Sequence, residues 1–164
     1  MSTFWTPAYI ALGSNLDDPR AQVLEAFKHL GGIAQPRLIA SSRLYRSTPL
    51  GPQDQPEFIN AAAGVLTQLS AQDLLVQLKQ IEQRMGRDTP IVRWGPRRID
   101  LDLLMHGNQR IAEPGLTLPH PGVPERNFVL YPLRDIAPEV IVPGHGPVAS
   151  LAERVGDAGL VPVT

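Results

Sequence analysis

Residues 57–67 read EFINAAAGVLT. In an extended chain Ile59, Ala61, Ala63 and Val65 share one side, while Phe58 and Asn60 share the other. That alternation predicts a strand. Ser70 then opens a helix, with Asp73 three residues on as a weaker variant of the capping box. Leu74, Leu78, Ile81 and Met85 form its apolar stripe, and Gly86 ends it. Further on, Ile99, Leu101, Leu103 and Met105 alternate with Asp100, Asp102, Leu104 and His106, which predicts a second strand. Upstream, Leu38 to Arg46 alternates loosely and contains Tyr45, so it reads as one strand. Ala8 to Leu12 is a short buried strand ended by a turn at Gly13-Ser14-Asn15. Asp17 or Asp18 caps a helix with Pro19 in its first turn. Val23, Phe27 and Leu30 mark its inner face, and Gly31-Gly32 stops it.

The order is therefore β-α-β-β-α-β. This is the ferredoxin-like split βαβ arrangement, an α+β sandwich with a mainly antiparallel sheet and both helices on one face. A C-terminal extension follows. Short helices are expected around Glu125 to Leu130 and Pro132 to Ile136, and the last 20 or so residues are expected as a peripheral helix or coil. Two connections, Ser47 to Pro56 and Arg87 to Arg98, are long for a compact domain, and such loops are often functional.

The totals narrow the class. A chain of 164 residues with 43% hydrophobic and 19% charged residues fits one folded domain, not a disordered or fibrous chain. There is no cysteine, which removes disulfides, thiolate metal sites and a cysteine nucleophile. A net charge of −1 argues against nucleic acid as a partner. The basic set comprises 13 Arg and only 2 Lys. Arginine forks suit phosphate oxygens, although a GC-rich genome would produce the same bias. No apolar run approaches the ~20 residues that span a bilayer, and the N-terminus has no signal-peptide pattern. A cytoplasmic, monomeric, stand-alone domain over 1–164 is the expectation.

The strongest chemical feature is Arg97-Arg98-Ile99-Asp100-Leu101-Asp102. Aspartates at i and i+2 of a strand point the same way, roughly 7 Å apart at Cα. Their carboxylates can converge on hard cations such as magnesium, which keeps waters or substrate phosphates as its other ligands. An ordinary solvated strand face would alternate in the same way. Arg87, Arg93, Arg97 and Arg98 fall within twelve residues beside this pair. Positive charge next to paired carboxylates suits a magnesium nucleotide, whereas mutual salt bridges are the simpler alternative. Phe58 and Asn60 offer an aromatic platform and an in-plane amide for a flat heteroaromatic ring. Phe128 is a possible second platform, and His120 and Arg126 lie near it in sequence. Gly13-Ser14-Asn15 lacks the Gly-Lys-Ser/Thr of a phosphate-binding loop, and no dinucleotide fingerprint or nucleophile elbow occurs. Phosphates would have to be held by side chains and metal.

Four segments together resemble the 6-hydroxymethyl-7,8-dihydropterin pyrophosphokinases of folate biosynthesis. They are YIALGSNL at 9–16, YRSTPLGPQDQPEFINA at 45–61, RWGPRRIDLDL at 93–103, and LPHP at 118–121 continuing through RNFVL at 126–130 to Pro132-Leu133. The resemblance covers residues ~8 to 140. It implies transfer of pyrophosphate from ATP to the pterin hydroxymethyl oxygen, with release of AMP. It also implies that Asp100 and Asp102 hold two magnesium ions bridging the triphosphate, one of which lowers the hydroxyl pKa. Arg87 and Arg97 would act on the phosphates together with His120 and Arg126, with Glu82 and Thr117 nearer the nucleotide. The pterin would lie between Phe58 and Phe128, its edge bonded by Asn60 and by the Ser47, Thr48 and Leu50 loop, with Trp94 also among the pterin-binding residues. The segments 47–55 and 87–94 would move and exclude water. Phe58 stands where tyrosine is familiar in the family, Pro121 where a tyrosine can occur, and Thr89-Pro90 where basic residues occur. A catalytically silent pterin- or nucleotide-binding module is the main alternative. It would be expected to lack an aspartate or a triphosphate arginine, and both sets are present. An RNA-binding domain of the same shape lacks its aromatic signature here.

Overall fold

The computed structural model describes residues 3–47, 57–86 and 98–163. Its centre is β4 (Phe58–Thr67), paired antiparallel from Ile59 to Thr67 with β1 (Thr6–Ser14). On the far side of β1 lies β5 (Asp100–His106), also antiparallel. The other flank of β4 is shared by β2 (Arg37–Ser41) and β3 (Tyr45–Ser47). Counting β2 and β3 as one strand, the order is the one expected of the β-α-β-β-α-β core. The helices α1 (Pro19–Gly31) and α2 (Ala71–Gly86) both cover one face. Asp18 caps α1 by accepting from the Ala21 amide, and the Ser70 hydroxyl accepts from the Asp73 amide at the start of α2.

The first core lies between those helices and the sheet. Ile10 and Leu12 of β1, Ala61 and Val65 of β4, and Leu101 of β5 meet Val23 and Leu30 of α1 and Leu74, Leu78 and Ile81 of α2. The side chains of β4 alternate as its sequence predicts.

Four expectations change. First, β1 does not stop at Leu12. It runs through Gly13 and Ser14, because both still find register partners on β4. Second, the stretch 38–46 is two strands. At the break the Ser42 amide donates to the Ala62 carbonyl (2.9 Å) while the Ser42 hydroxyl accepts from the Ala62 amide (2.8 Å). A side-chain oxygen thus replaces a backbone one, and the sheet bends without orphaning a donor. Third, the alternation of β5 fails at its end. Ile10 pairs with Leu103 and Tyr9 with Met105, so Leu104 is the extra residue of a bulge. Met105 therefore joins Leu104 on the second face. His106 falls on the α2 side, where its Nε2 lies 2.9 Å from the Leu69 carbonyl.

Fourth, the C-terminal extension, expected as two short helices and then a peripheral helix or coil, packs over the second face of the sheet. Beyond the hairpin β6 (Ile111–Glu113) and β7 (Leu116–Leu118), α3 (Asn127–Ile136) is one continuous helix, with Pro132 inside it. A two-stranded ribbon, β8 (Ile141–Val142) and β9 (Gly146–Pro147), leads into α4 (Val148–Val155). Val129, Leu130 and Leu133 of α3 and Leu151 and Ala152 of α4 form a second core with Leu104, Met105 and Tyr9. Burying that apolar stripe outweighs the hydrogen bond that Pro132 removes. The sheet ends at β10 (Leu160–Pro162), which pairs with β3. A hydrogen-bonded triad ties α3 to the sheet: the Tyr45 hydroxyl, buried on β3, donates to Asp135, and Arg43 approaches the same carboxylate. Burial, and then this carboxylate, push the Tyr45 phenol above its ordinary pKa.

Candidate active site

One cross-strand row organises the site. Asp100 of β5 stands opposite Gly13 of β1, Gly13 opposite Asn60 of β4, and Asn60 opposite Tyr45 of β3. Directly paired residues share a face, so Asp100 and Asn60 look out on the same side, about 10 Å apart across two strand spacings. Gly13 lies between them with no side chain. A Cβ there would come within 3.2 Å of the Asn60 amide nitrogen and 3.9 Å of the Phe58 ring. Phe58 and Asn60 therefore lean over the bare backbone of β1, and the glycine keeps the space between carboxylate and amide open. The Ser47 hydroxyl donates to Asn60 Oδ1 at 2.6 Å, which leaves the Asn60 Nδ2 as the group able to donate to a ligand. Asn15, fully buried, follows the last residue of β1 two positions after Gly13. Sequence reasoning treated it as a turn residue, and only the extra length of β1 places it at the strand end.

Asp102 stands opposite Ala11 on the same face and is exposed. Between the two aspartates, the outward amide of Leu101 donates to Glu82 Oε2 at 2.7 Å. The other oxygen of Glu82 pairs with Lys79 at 3.3 Å. Burial pushes the Glu82 carboxyl above the usual carboxylate range, the Leu101 amide and Lys79 pull it back, and Asp102 pushes it up again. Glu82 thus clamps the free edge of β5 at the residue separating the two carboxylates.

Asp102 also lines a cleft of about 320 Å³. Leu75 and Lys79 of α2 form one wall, and Thr117, His120 and Pro121 form another. Lys79 was not singled out from the sequence. The available signal was that it is one of two lysines and lies one turn before Glu82. The His120 amide donates to the Leu104 carbonyl and its Nδ1 accepts from the Gly122 amide (3.0 Å), so the neutral ring carries its proton on Nε2. Burial holds the His120 pKa below its ordinary value, with Asp102 opposing and Arg126 reinforcing that shift. Arg126 precedes α3 and lies over the Phe128 ring, 5.9 Å from its centroid. Its side chain packs so closely on Gly122 that a Cβ there would meet three of its atoms at 3.0–3.1 Å.

That contact yields a prediction. The Arg126 side chain is flexible, so Gly122→Ala should change stability by less than about 0.5 kcal/mol while re-aiming the guanidinium. We expect the affinity of the cleft for a phosphate-bearing probe such as inorganic pyrophosphate to fall about fivefold to tenfold with the melting temperature unmoved; an unchanged affinity would show that Arg126 does not need this seat.

The structure therefore brings Asp100, Asp102, Thr117, His120 and Arg126 to one end of β5, and Ser47, Phe58, Asn60 and Phe128 to the sheet face alongside. Glu82 sits at the free edge of the strand and is not among the described lining of the cleft. Thr48, Leu50, Arg87, Trp94 and Arg97 lie outside the described residues, as do most of the two long connections. Among the described residues no helix is long and apolar enough to cross a membrane, and no group of three or more His, Asp or Glu forms a ready metal cage.

Comparison with known proteins meets this geometry from the other side. A family profile described as 7,8-dihydro-6-hydroxymethylpterin-pyrophosphokinase matches residues 9–138. The 2-amino-4-hydroxy-6-hydroxymethyldihydropteridine pyrophosphokinase of Haemophilus influenzae is 41% identical over 154 residues, 94% of this chain and 96% of that one. The Pseudomonas aeruginosa protein of the same name is 47% identical over 135 residues, 82% and 83% of the two chains. Among solved structures, Plasmodium falciparum HPPK-DHPS with pteroate superposes with a TM-score of 0.71 at 17% identity. That match covers 94% of this chain but 43% of the Plasmodium chain, and it speaks for the fold. With the profile covering most of its length and relatives above 40% identity along nearly all of it, this chain belongs to the 7,8-dihydro-6-hydroxymethylpterin-pyrophosphokinase family of ATP-dependent diphosphotransferases.

Proposed function

We propose that this chain transfers the terminal pyrophosphate of ATP to the hydroxymethyl oxygen of 6-hydroxymethyl-7,8-dihydropterin, releasing AMP. The observation that carries the reading is the row Asp100–Gly13–Asn60: an acidic group and a ring-binding amide look across an empty glycine. That spacing lets a charged phosphate chain and a flat ring meet.

The donor set fits magnesium. Asp100 and Asp102 offer two carboxylates and no further acidic or histidine ligand joins them among the described residues, so most coordination positions fall to water and phosphate oxygens. Two magnesium ions held there would supply charge neutralisation of the triphosphate and a lower pKa for the substrate hydroxyl.

The other roles follow from position. Leu75 and Pro121 give the cleft an apolar wall for the nucleotide base, and Thr117 lies beside it. Neutral His120 donates through Nε2, and Arg126 brings fixed positive charge to the phosphates. Asn60 Nδ2 bonds the pterin edge, and Phe58 and Phe128 hold its two faces. In the transfer the hydroxymethyl oxygen bonds to the β-phosphorus, the bond from that phosphorus to the α–β bridging oxygen breaks, and AMP leaves. The hydroxyl proton departs to solvent. By the family resemblance Arg87 and Arg97 act on the triphosphate, and Thr48, Leu50 and Trp94 contribute to the pterin pocket. We further propose a single catalytic domain over 1–164, acting as a cytoplasmic monomer on small molecules alone.

The test mixes the protein with ATP, magnesium and the hydroxymethyl-dihydropterin and separates the nucleotides. AMP formed only when the pterin is present supports the reading. Production of ADP, or no turnover, overturns it.

A further inference from the structure

The C-terminal segment has a job that neither the fold nor the chemistry above requires. After α4, Gly156 and Gly159 take φ values of 81° and 75°, which turn the chain back across the end of the sheet. Between them the Ala158 carbonyl accepts from the Asn127 side-chain amide at 2.9 Å. Asn127 is the first residue of α3 and the neighbour of Phe128. The chain then enters β10, where Leu160 pairs with Ser47, Val161 with Arg46 and Pro162 with Tyr45. The Val163 amide donates to the Leu44 carbonyl at 2.9 Å. Leu160 is buried. One short segment is thus fastened to both sides of the proposed ring site: to the helix end bearing Phe128, and to the strand whose Ser47 orients the Asn60 amide.

Without β10, β3 would be a three-residue edge strand, paired on one side only and leading directly into the 48–56 connection. Short unpaired edges fray readily. Stacking and in-plane hydrogen bonding lose strength when their partners drift by a fraction of an ångström. The family profile ends at residue 138, so the segment that makes these contacts lies beyond the part of the chain it describes.

We propose that residues 157–163 form a strap that sets the pterin site, holding Phe128 through Asn127 and the Ser47–Asn60 pair through β10. The strap rests on the pyrophosphokinase reading. Asn127, Ala158 and Leu160 are positioning residues that touch no substrate. The strap pairs with β3 and bonds Asn127, whereas the nucleotide cleft is lined from α2, β5 and β7, so its effect should fall mainly on the pterin.

The experiment compares wild type with Asn127→Leu, which keeps the shape of the side chain and loses its donor, and with a chain ending at Asp157. Pterin and a non-hydrolysable ATP analogue are titrated separately, and melting temperature is recorded. For Asn127→Leu we expect the pterin Kd to rise about fivefold to tenfold, the analogue Kd to stay within about twofold, and the melting temperature to fall by only a few degrees. The truncated chain should show the same selective loss, larger. Equal weakening of both ligands, or an unchanged pterin Kd, overturns the strap. Should the truncated chain fail to fold, Asn127→Leu alone decides. Wild type that binds pterin while the variant binds it equally well sinks the strap only; wild type that binds no pterin sinks the functional reading and the strap with it.

Discussion

Replacing Asp102 by alanine should lower kcat roughly 10³-fold while leaving the protein folded. The carboxylate is exposed, faces the cleft and belongs to neither core, so its removal should cost little stability. Its value lies in the charged reaction. A ligand to a cation that neutralises a triphosphate is worth several kcal/mol in the transition state, and about 4 kcal/mol corresponds to that factor. The strand beneath it is rigid: β5 is paired along β1, and Glu82 fixes the Leu101 amide between the two aspartates. The loss should therefore be of charge and not of backbone order. Asp102→Asn, which keeps shape and loses charge, should be almost as inactive as Asp102→Ala. Chelating divalent cations should silence wild type and change the residual rate of either variant very little. Near-normal turnover by Asp102→Ala would remove the metal assignment.

Replacing Phe128 by alanine should raise the pterin Kd about tenfold to a hundredfold, because stacking a heteroaromatic ring on an aromatic side chain contributes about 1–3 kcal/mol. The ring is half-buried against the second core, beneath the Arg126 guanidinium. Its loss should also slacken Arg126, so a secondary rise of about twofold in nucleotide KM is expected. The order of the two effects is the test. A variant that loses nucleotide affinity and keeps pterin affinity would place Phe128 in the cleft and not on the ring.

Several particulars of the fold are legible in residues 57–67 and their neighbours because they obey short-range rules. The period of β4, the stripe of α2 and the caps at Asp18 and Ser70 each need only a few adjacent residues to be read. The paired aspartates of β5 are legible for the same reason: strand alternation alone puts them on one face. The second layer was not legible. On its second face β4 carries Ala62 and Gly64 where a solvated sheet would carry polar groups, a sign of burial that says nothing of what covers it. The bulge at Leu104 was equally hidden, since a register shift depends on the partner strand.

By itself, then, the sequence determined the β-α-β-β-α-β order, the first core, the acidic pair and the family, all of which rest on local periodicity or on motifs read in line. Tertiary structure alone decided that Gly13 belongs to a strand and separates Asp100 from Asn60, that Lys79 enters the cleft, that α3 and α4 close the second face, and that the C-terminal segment joins β3 to Asn127. The reason is physical: these contacts join residues far apart in the chain, and their partners are chosen by which apolar surfaces pack together and which backbone donors still need acceptors, conditions that exist only once the sheet has formed.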